Sequence, residues 1–310
     1  MTSSTSLHET INRISSTPGS FQLISSPPNW PRPNSSSGSS QSSDLHIAIL
    51  DSSFNPPTSA HRQIAFSAFP PPSLTAPSPR EVRDDAASSS STRHPGPYTS
   101  RLLLFSARNV EKTSKASDAT VAQRLEMMSI LSRSHPDTNT AIGLINEPTF
   151  VGKSSIIRSY LSTQPIPGPP NENEDAQGDR ELDVKLSFLV GTDTLIRFFD
   201  PRFYPPNQME DKLEEYFDSG SYLISARRGK DSTDRAIEEE ILNRDGAKQW
   251  VQSGHLRLLG TGNEGWEEIS STKVREAVSK QDWELVDDLV GQDIREYVRK
   301  EGLYIPQETA

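Results

Sequence analysis

The chain has 310 residues, of which 32% are hydrophobic, with 24 prolines, no cysteine and a formal net charge of -10. The lack of cysteine excludes disulfides and thiolate-held zinc or iron–sulfur centres. The acidic balance argues against bulk attraction to nucleic acid or anionic membranes, and no apolar run approaches the ~20 residues that a bilayer requires.

Residues 1–44 read as a mostly flexible segment. Residues 1–20 are rich in Ser and Thr without the basic-then-apolar order of a signal peptide, and 25–44 are rich in Ser, Pro and Asn. A soluble protein, cytoplasmic and/or nuclear, is the expectation. Two further low-complexity stretches, near 69–100 and 165–180, are too polar and proline-rich to offset their ordering entropy by burial. They read as insertions within one domain spanning 45–304, followed by a short tail at 305–310. These Pro/Ser segments are also candidate regions for protein partners.

Between them, short apolar runs alternate with helical patterns. Strands are predicted at 45–50, 101–106, 140–146, 185–190, 221–226 and 255–259. Helices are predicted at 60–69, 116–133, 154–161, 209–217, 233–243 and 272–280, with two short ones at 283–289 and 293–300. This alternation predicts an α/β fold with a doubly wound parallel sheet, whose ligand crevice lies beyond the carboxyl ends of the strands.

The most informative stretch is 47–61, IAILDSSFNPPTSAH. A buried-strand pattern breaks at a polar turn carrying Ser52, Ser53 and Asn55, and a helix then opens with His61 in its first turn. Strand, turn and helix start together form an anion cradle, since unpaired N–H groups converge there. Downstream, Gly191 and Asp193 follow an apolar strand, and residues 269–275, ISSTKVR, place Ser270, Ser271, Thr272 and Arg275 at a helix start. Hydroxyls at such a start cap the helix and can also face phosphate, and a guanidinium one turn in offers several donors.

These three segments resemble the nucleotidylyltransferase superfamily. Residues 53–61 are similar to its (H/T)xGH signature, in the form carried by nicotinamide mononucleotide adenylyltransferases. Residues 191–193 resemble its GxD motif, and 269–275 its ISSTxxR element. The resemblance covers about 45–304 and points to a divergent fungal branch with the Rossmann-like, HIGH-type nucleotidylyltransferase fold. It implies adenylyl transfer from ATP to nicotinamide mononucleotide, giving NAD and pyrophosphate, with Mg²⁺ entering with ATP and no protein metal site. It further implies Thr58, His61 and Arg275 as the catalytic residues. ATP would also meet Ser52, Ser53, Phe54, Gly191, Asp193, Ser270, Ser271 and Thr272. On the substrate side stand Asn55, Lys112 (or Lys115), Phe150 as the ring that stacks on nicotinamide, and Arg227. Two positions depart from the family pattern: Ser52 and Ala60 stand where glycine is usual, and the Ala60 methyl is expected to crowd the nucleotide. Two other readings stay open, a nucleotide-dependent regulatory protein without transfer, and transfer to another acceptor.

Overall fold

Apolar side chains alternate along each predicted strand between two separate cores, as a sheet covered on both faces requires. The computed structural model describes residues 4–32, 44–71, 96–107, 118–163, 183–226, 232–260, 265 and 269–306. Its strands are β1 Phe21–Ser25, β2 Leu45–Asp51, β3 Ser100–Ser106, β4 Thr140–Ile145, β5 Val184–Gly191, β6 Ser221–Ala226 and β7 Leu256–Leu259. The helices of the first half are α1 Ser4–Ser16, α2 Ser59–Ala65, α3 Val121–Arg133 and α4 Phe150–Thr163. The second half has α5 Thr192–Phe198, α6 Met209–Asp218, α7 Ser232–Asn243, α8 Asp245–Gln252, α9 Ser271–Ser279, α10 Trp283–Val290 and α11 Gln292–Lys300.

The sheet order is β1-β4-β3-β2-β5-β6-β7, parallel throughout except for β1. The parallel strands run outward from β2 on one side and from β5 on the other, which is the doubly wound Rossmann order. The chain therefore reverses direction between β2 and β5, and the crevice opens at their carboxyl ends. On one face Ile47, Ile49, Leu102 and Leu104 join apolar residues of α4 to α8. On the other, Ala48, Leu50, Leu103 and Phe105 join those of α1, α2 and α3. A third cluster ties α9, α10 and α11 to Met127 of α3, and so seats the C-terminal helices beside the first crossover.

The six parallel strands fall where the sequence places them. The N-terminal segment does not match its reading. Its described residues include α1 and β1, which lie on the sheet edge instead of forming a flexible lead-in. Ile14 is fully buried, Asn146 Nδ2 donates to the carbonyls of Ile14 and Ser15 at 3.0 Å, and β1 pairs antiparallel with β4. The physical reason is a stripe, Leu7, Ile11 and Ile14, at helical spacing within an otherwise polar segment.

At the opposite end of the sheet from the crevice, residues flanking 72–95 are pinned by Arg257 of β7 and His46 of β2. Arg257 Nη1 donates to Pro70 O at 2.7 Å, and His46 Nδ1 donates to Gly96 O at 2.7 Å. Since a carbonyl only accepts, His46 carries its proton on Nδ1, and Nε2 accepts from Ser187 Oγ at 2.8 Å. Burial lowers the His46 pKa from the ordinary 6.5 to about 4. Folded His46 thus stays neutral where the unfolded chain would take up a proton. Its contribution is full above pH 6.5 and is lost as pH falls toward 4, on the order of 3 kcal/mol in all. Thermal unfolding between pH 7 and 4 should show a steeper loss for the wild type than for His46→Asn; identical slopes would contradict this.

Candidate active site

β2 ends at Asp51, and the turn 52–58 carries the chain across the mouth of the crevice into α2. Thr58 caps α2: its Oγ1 accepts from His61 N at 3.4 Å, while its own N–H donates to His61 Nδ1 at 3.1 Å. This reciprocal box has a chemical consequence. Because a backbone N–H occupies Nδ1 as an acceptor, the neutral imidazole carries its proton on Nε2. That nitrogen lies 2.8 Å from Ser52 Oγ and donates to it. His61 and Thr58 are 6% and 2% exposed, so the oriented imidazole lies beneath the turn, with the half-buried Ser52 hydroxyl above it.

The second signature packs directly on the first. Ser270 caps α9 by accepting from Lys273 N at 3.2 Å. Ser271 Oγ donates to Pro56 O at 2.8 Å, and Arg275 Nη1 donates to Asn55 O at 2.6 Å. The second guanidinium arm donates to Thr272 Oγ1 at 3.1 Å. Residues more than 200 positions apart thereby form one wall. Arg124 of α3 stands behind it: Nη1 reaches Ser53 O at 3.4 Å, Nε donates to Ala119 O at 2.8 Å, and Asp118 pairs with it at 3.5 Å. Burial lowers the pKa of Arg124, with Asp118 opposing and Arg275 adding to the shift. Two guanidiniums thus face one carboxylate around the turn, a local positive balance on an acidic protein.

The GxD segment lies at the other side of the switch. β2 and β5 pair in register up to Leu50 and Leu189, and β5 then runs on to Gly191 at the carboxyl end of the sheet. Gly191 is the N-cap of α5, which begins at Thr192. Asp193 sits inside the first turn, exposed, and pairs with Arg197 at 3.6 Å.

Three sequence expectations are corrected here. Phe54 is fully buried with its ring 5.4 Å from that of His61, so its side chain supports the imidazole from below and does not face ATP. Asn55 is 5% exposed and its amide is engaged within the protein. Nδ2 donates to Asp118 Oδ1 at 2.7 Å, and Oδ1 accepts from Ala119 N at 3.2 Å and Tyr304 Oη at 2.9 Å. It braces the turn. The Ala60 methyl, 1% exposed, is packed into the core cluster beneath α2. Phe150 opens α4, and its ring meets Phe188 and Phe198 edge-on, with Lys153 Nζ 4.9 Å from its centroid. Lys112, Lys115 and Arg227 lie outside the described residues.

Sequence reasoning passed over an ion pair next to this turn. Lys153 of α4, 4% exposed, pairs with Asp51, whose other oxygen accepts from Ser106 Oγ at 3.1 Å. The Tyr304 hydroxyl is a second such partner: it donates to Asn55 Oδ1, and burial raises its pKa.

No family model matches the chain. Over 265 residues it is 27% identical to a protein of Schizosaccharomyces pombe named "Putative nicotinamide mononucleotide adenylyltransferase", covering 83% of this chain and 85% of that one. That similarity extends over most of both chains. Among solved structures, it is similar to Plasmodium falciparum nicotinic acid mononucleotide adenylyltransferase complexed with NaAD, at 14% identity and a TM-score of 0.48. The same enzyme complexed with APC matches at 14% identity and a TM-score of 0.47, and both matches cover 84% of this chain and 97% of that chain. In this chain, the segments 52–61 and 269–275 meet at the turn after β2, and Gly191 ends the neighbouring strand β5.

Proposed function

We propose that the chain transfers the adenylyl group of ATP to a pyridine mononucleotide, with nicotinamide mononucleotide as the acceptor, releasing pyrophosphate. The observation that carries this reading is the docking of α9 on the turn after β2, through Ser271 to Pro56 O and Arg275 to Asn55 O. It joins two separate phosphate-type elements into a split clamp at the fold's ligand crevice.

The chemistry needs no protein nucleophile, because the acceptor's 5′-phosphate attacks the α-phosphorus of ATP. One P–O bond forms there and the bond to the β-phosphate breaks. The protein's work is to position both partners and to stabilise charge on the α-phosphate and the departing pyrophosphate. The Ser52–His61 pair and the Thr58 turn serve the α-phosphate side. Arg275, with the hydroxyls of Ser270 to Thr272 around it, serves the leaving group. Gly191 lets the nucleotide approach β5 without a Cβ in the way, and the exposed Asp193 accepts from ribose or base. Mg²⁺ comes as part of the MgATP substrate, held by phosphates and water.

One observation favours binding without transfer: Ser52 occupies the His61 nitrogen at the point where the family pattern has glycine. Incubation with ATP or CTP and a panel of acceptors, nicotinamide mononucleotide, nicotinic acid mononucleotide and phosphopantetheine, separates these readings by pyrophosphate release. Release with ATP and nicotinamide mononucleotide is expected. ATP binding by calorimetry with no release from any pair would replace the transferase reading with the binding one.

A further inference from the structure

The position of Ser52 between His61 and the crevice has its own consequence. His61 is 6% exposed, and Thr58 N–H fixes Nδ1 as an acceptor, which leaves Nε2–H as the imidazole's sole proton in the neutral form. Nε2 is 2.8 Å from Ser52 Oγ, an ordinary donor distance. Ser52 is less buried than His61 and directly follows Asp51, the last residue of β2, at the carboxyl end of the sheet where the crevice has its mouth. A phosphate entering that mouth therefore meets the serine hydroxyl before it meets the imidazole. The backbone N–H of Ser52 is already turned inward, donating to Leu104 O at 3.3 Å, so the residue's remaining donor is its hydroxyl.

We propose that Ser52 is the residue that contacts the nucleotide's phosphate, and that His61 acts through it. In this relay, Nε2–H donates to Ser52 Oγ and Ser52 Oγ–H donates to a phosphate oxygen. Accepting one hydrogen bond strengthens the serine as a donor of the next, since chained hydrogen bonds polarise one another. No proton is transferred and no bond to phosphorus is made by the protein. Ser52 is then a catalytic residue and His61 a positioning one. The serine that departs from the family pattern is a working part of this site, and not an obstruction. The inference rests on the reading of this crevice as a nucleotide site, though not on which acceptor is used.

A mutant cycle of Ser52→Ala, His61→Ala and the double variant tests it, with Ser52→Gly alongside. Each variant is checked for folding by circular dichroism and for ATP affinity by calorimetry, then assayed for pyrophosphate release. Ser52→Ala is expected to lose about 10²-fold in rate, the scale for one oriented donor, and at least as much as His61→Ala. The double variant should fall within about threefold of Ser52→Ala, because the two residues act as one unit. Additive losses would overturn the relay. So would a Ser52→Gly protein as fast as or faster than wild type beside a slow His61→Ala. If the wild type binds ATP but releases no pyrophosphate with any acceptor, the transferase reading fails by itself. The relay is then judged on ATP affinity, where an unchanged Kd in Ser52→Ala overturns it.

Discussion

Asn55→Ala is expected to destabilise the protein by about 3 kcal/mol and to abolish most activity, even at saturating substrate. The side chain makes three hydrogen bonds in a nearly water-free setting, to Asp118, Ala119 N and Tyr304 Oη. Removing it leaves two donors and one carboxylate oxygen short of a partner, each costing about 1 kcal/mol or more. The loss reaches the chemistry because Asn55 fixes the turn from both ends. Its amide ties it to the start of α3 and to the chain's C-terminal segment, and its carbonyl receives Arg275. Asn55→Asp should be worse than Asn55→Ala, since it sets a second carboxylate against Asp118. Urea unfolding with parallel kinetics checks this. A raised KM for the mononucleotide with unchanged stability and kcat would instead make Asn55 a substrate contact.

Arg275→Lys is expected to lower kcat/KM for ATP by about 10²-fold while the fold stays intact. In the structure one guanidinium arm holds Asn55 O and the other Thr272 Oγ1. A lysine ammonium is a point charge and cannot hold a carbonyl while also presenting a planar fork to the β- and γ-phosphates. Arg275 is half-buried, so the shorter reach is not made good by water alone. Arg275→Ala should add a loss of stability, because it frees α9 from the turn. Steady-state kinetics with ATP varied gives the answer. Unchanged kcat/KM in a folded Arg275→Lys protein would reduce Arg275 to a strut between α9 and the turn.

The parallel strands were legible because each is an apolar run with both faces covered, a pattern that few surface segments imitate. The two phosphate segments were legible for a different reason: a serine cap before a helix and a polar turn after a strand are local signals. What escaped were contacts between residues far apart in sequence. Tyr304 and Asn55 are 249 positions apart, and Lys153 and Asp51 are 102. No local pattern announces such pairs. Leu7, Ile11 and Ile14 did carry a helical period, but the serine-rich composition around them masked it. The resemblance placed Phe54 with ATP, but its side chain is fully buried. With φ at 43°, Phe54 puts its ring under His61 instead. The departure at Ala60 reads as crowding from sequence, whereas its methyl is buried in the core cluster beneath α2.

The central claim is that the α-phosphorus of ATP ends in a dinucleotide. The most direct measurement supplies ATP labelled at the α-phosphorus together with nicotinamide mononucleotide, and follows the label by chromatography. Label appearing in NAD, with one unlabelled pyrophosphate released per NAD formed, is the predicted result. Label retained in ATP, or recovered only in AMP or ADP, would contradict it.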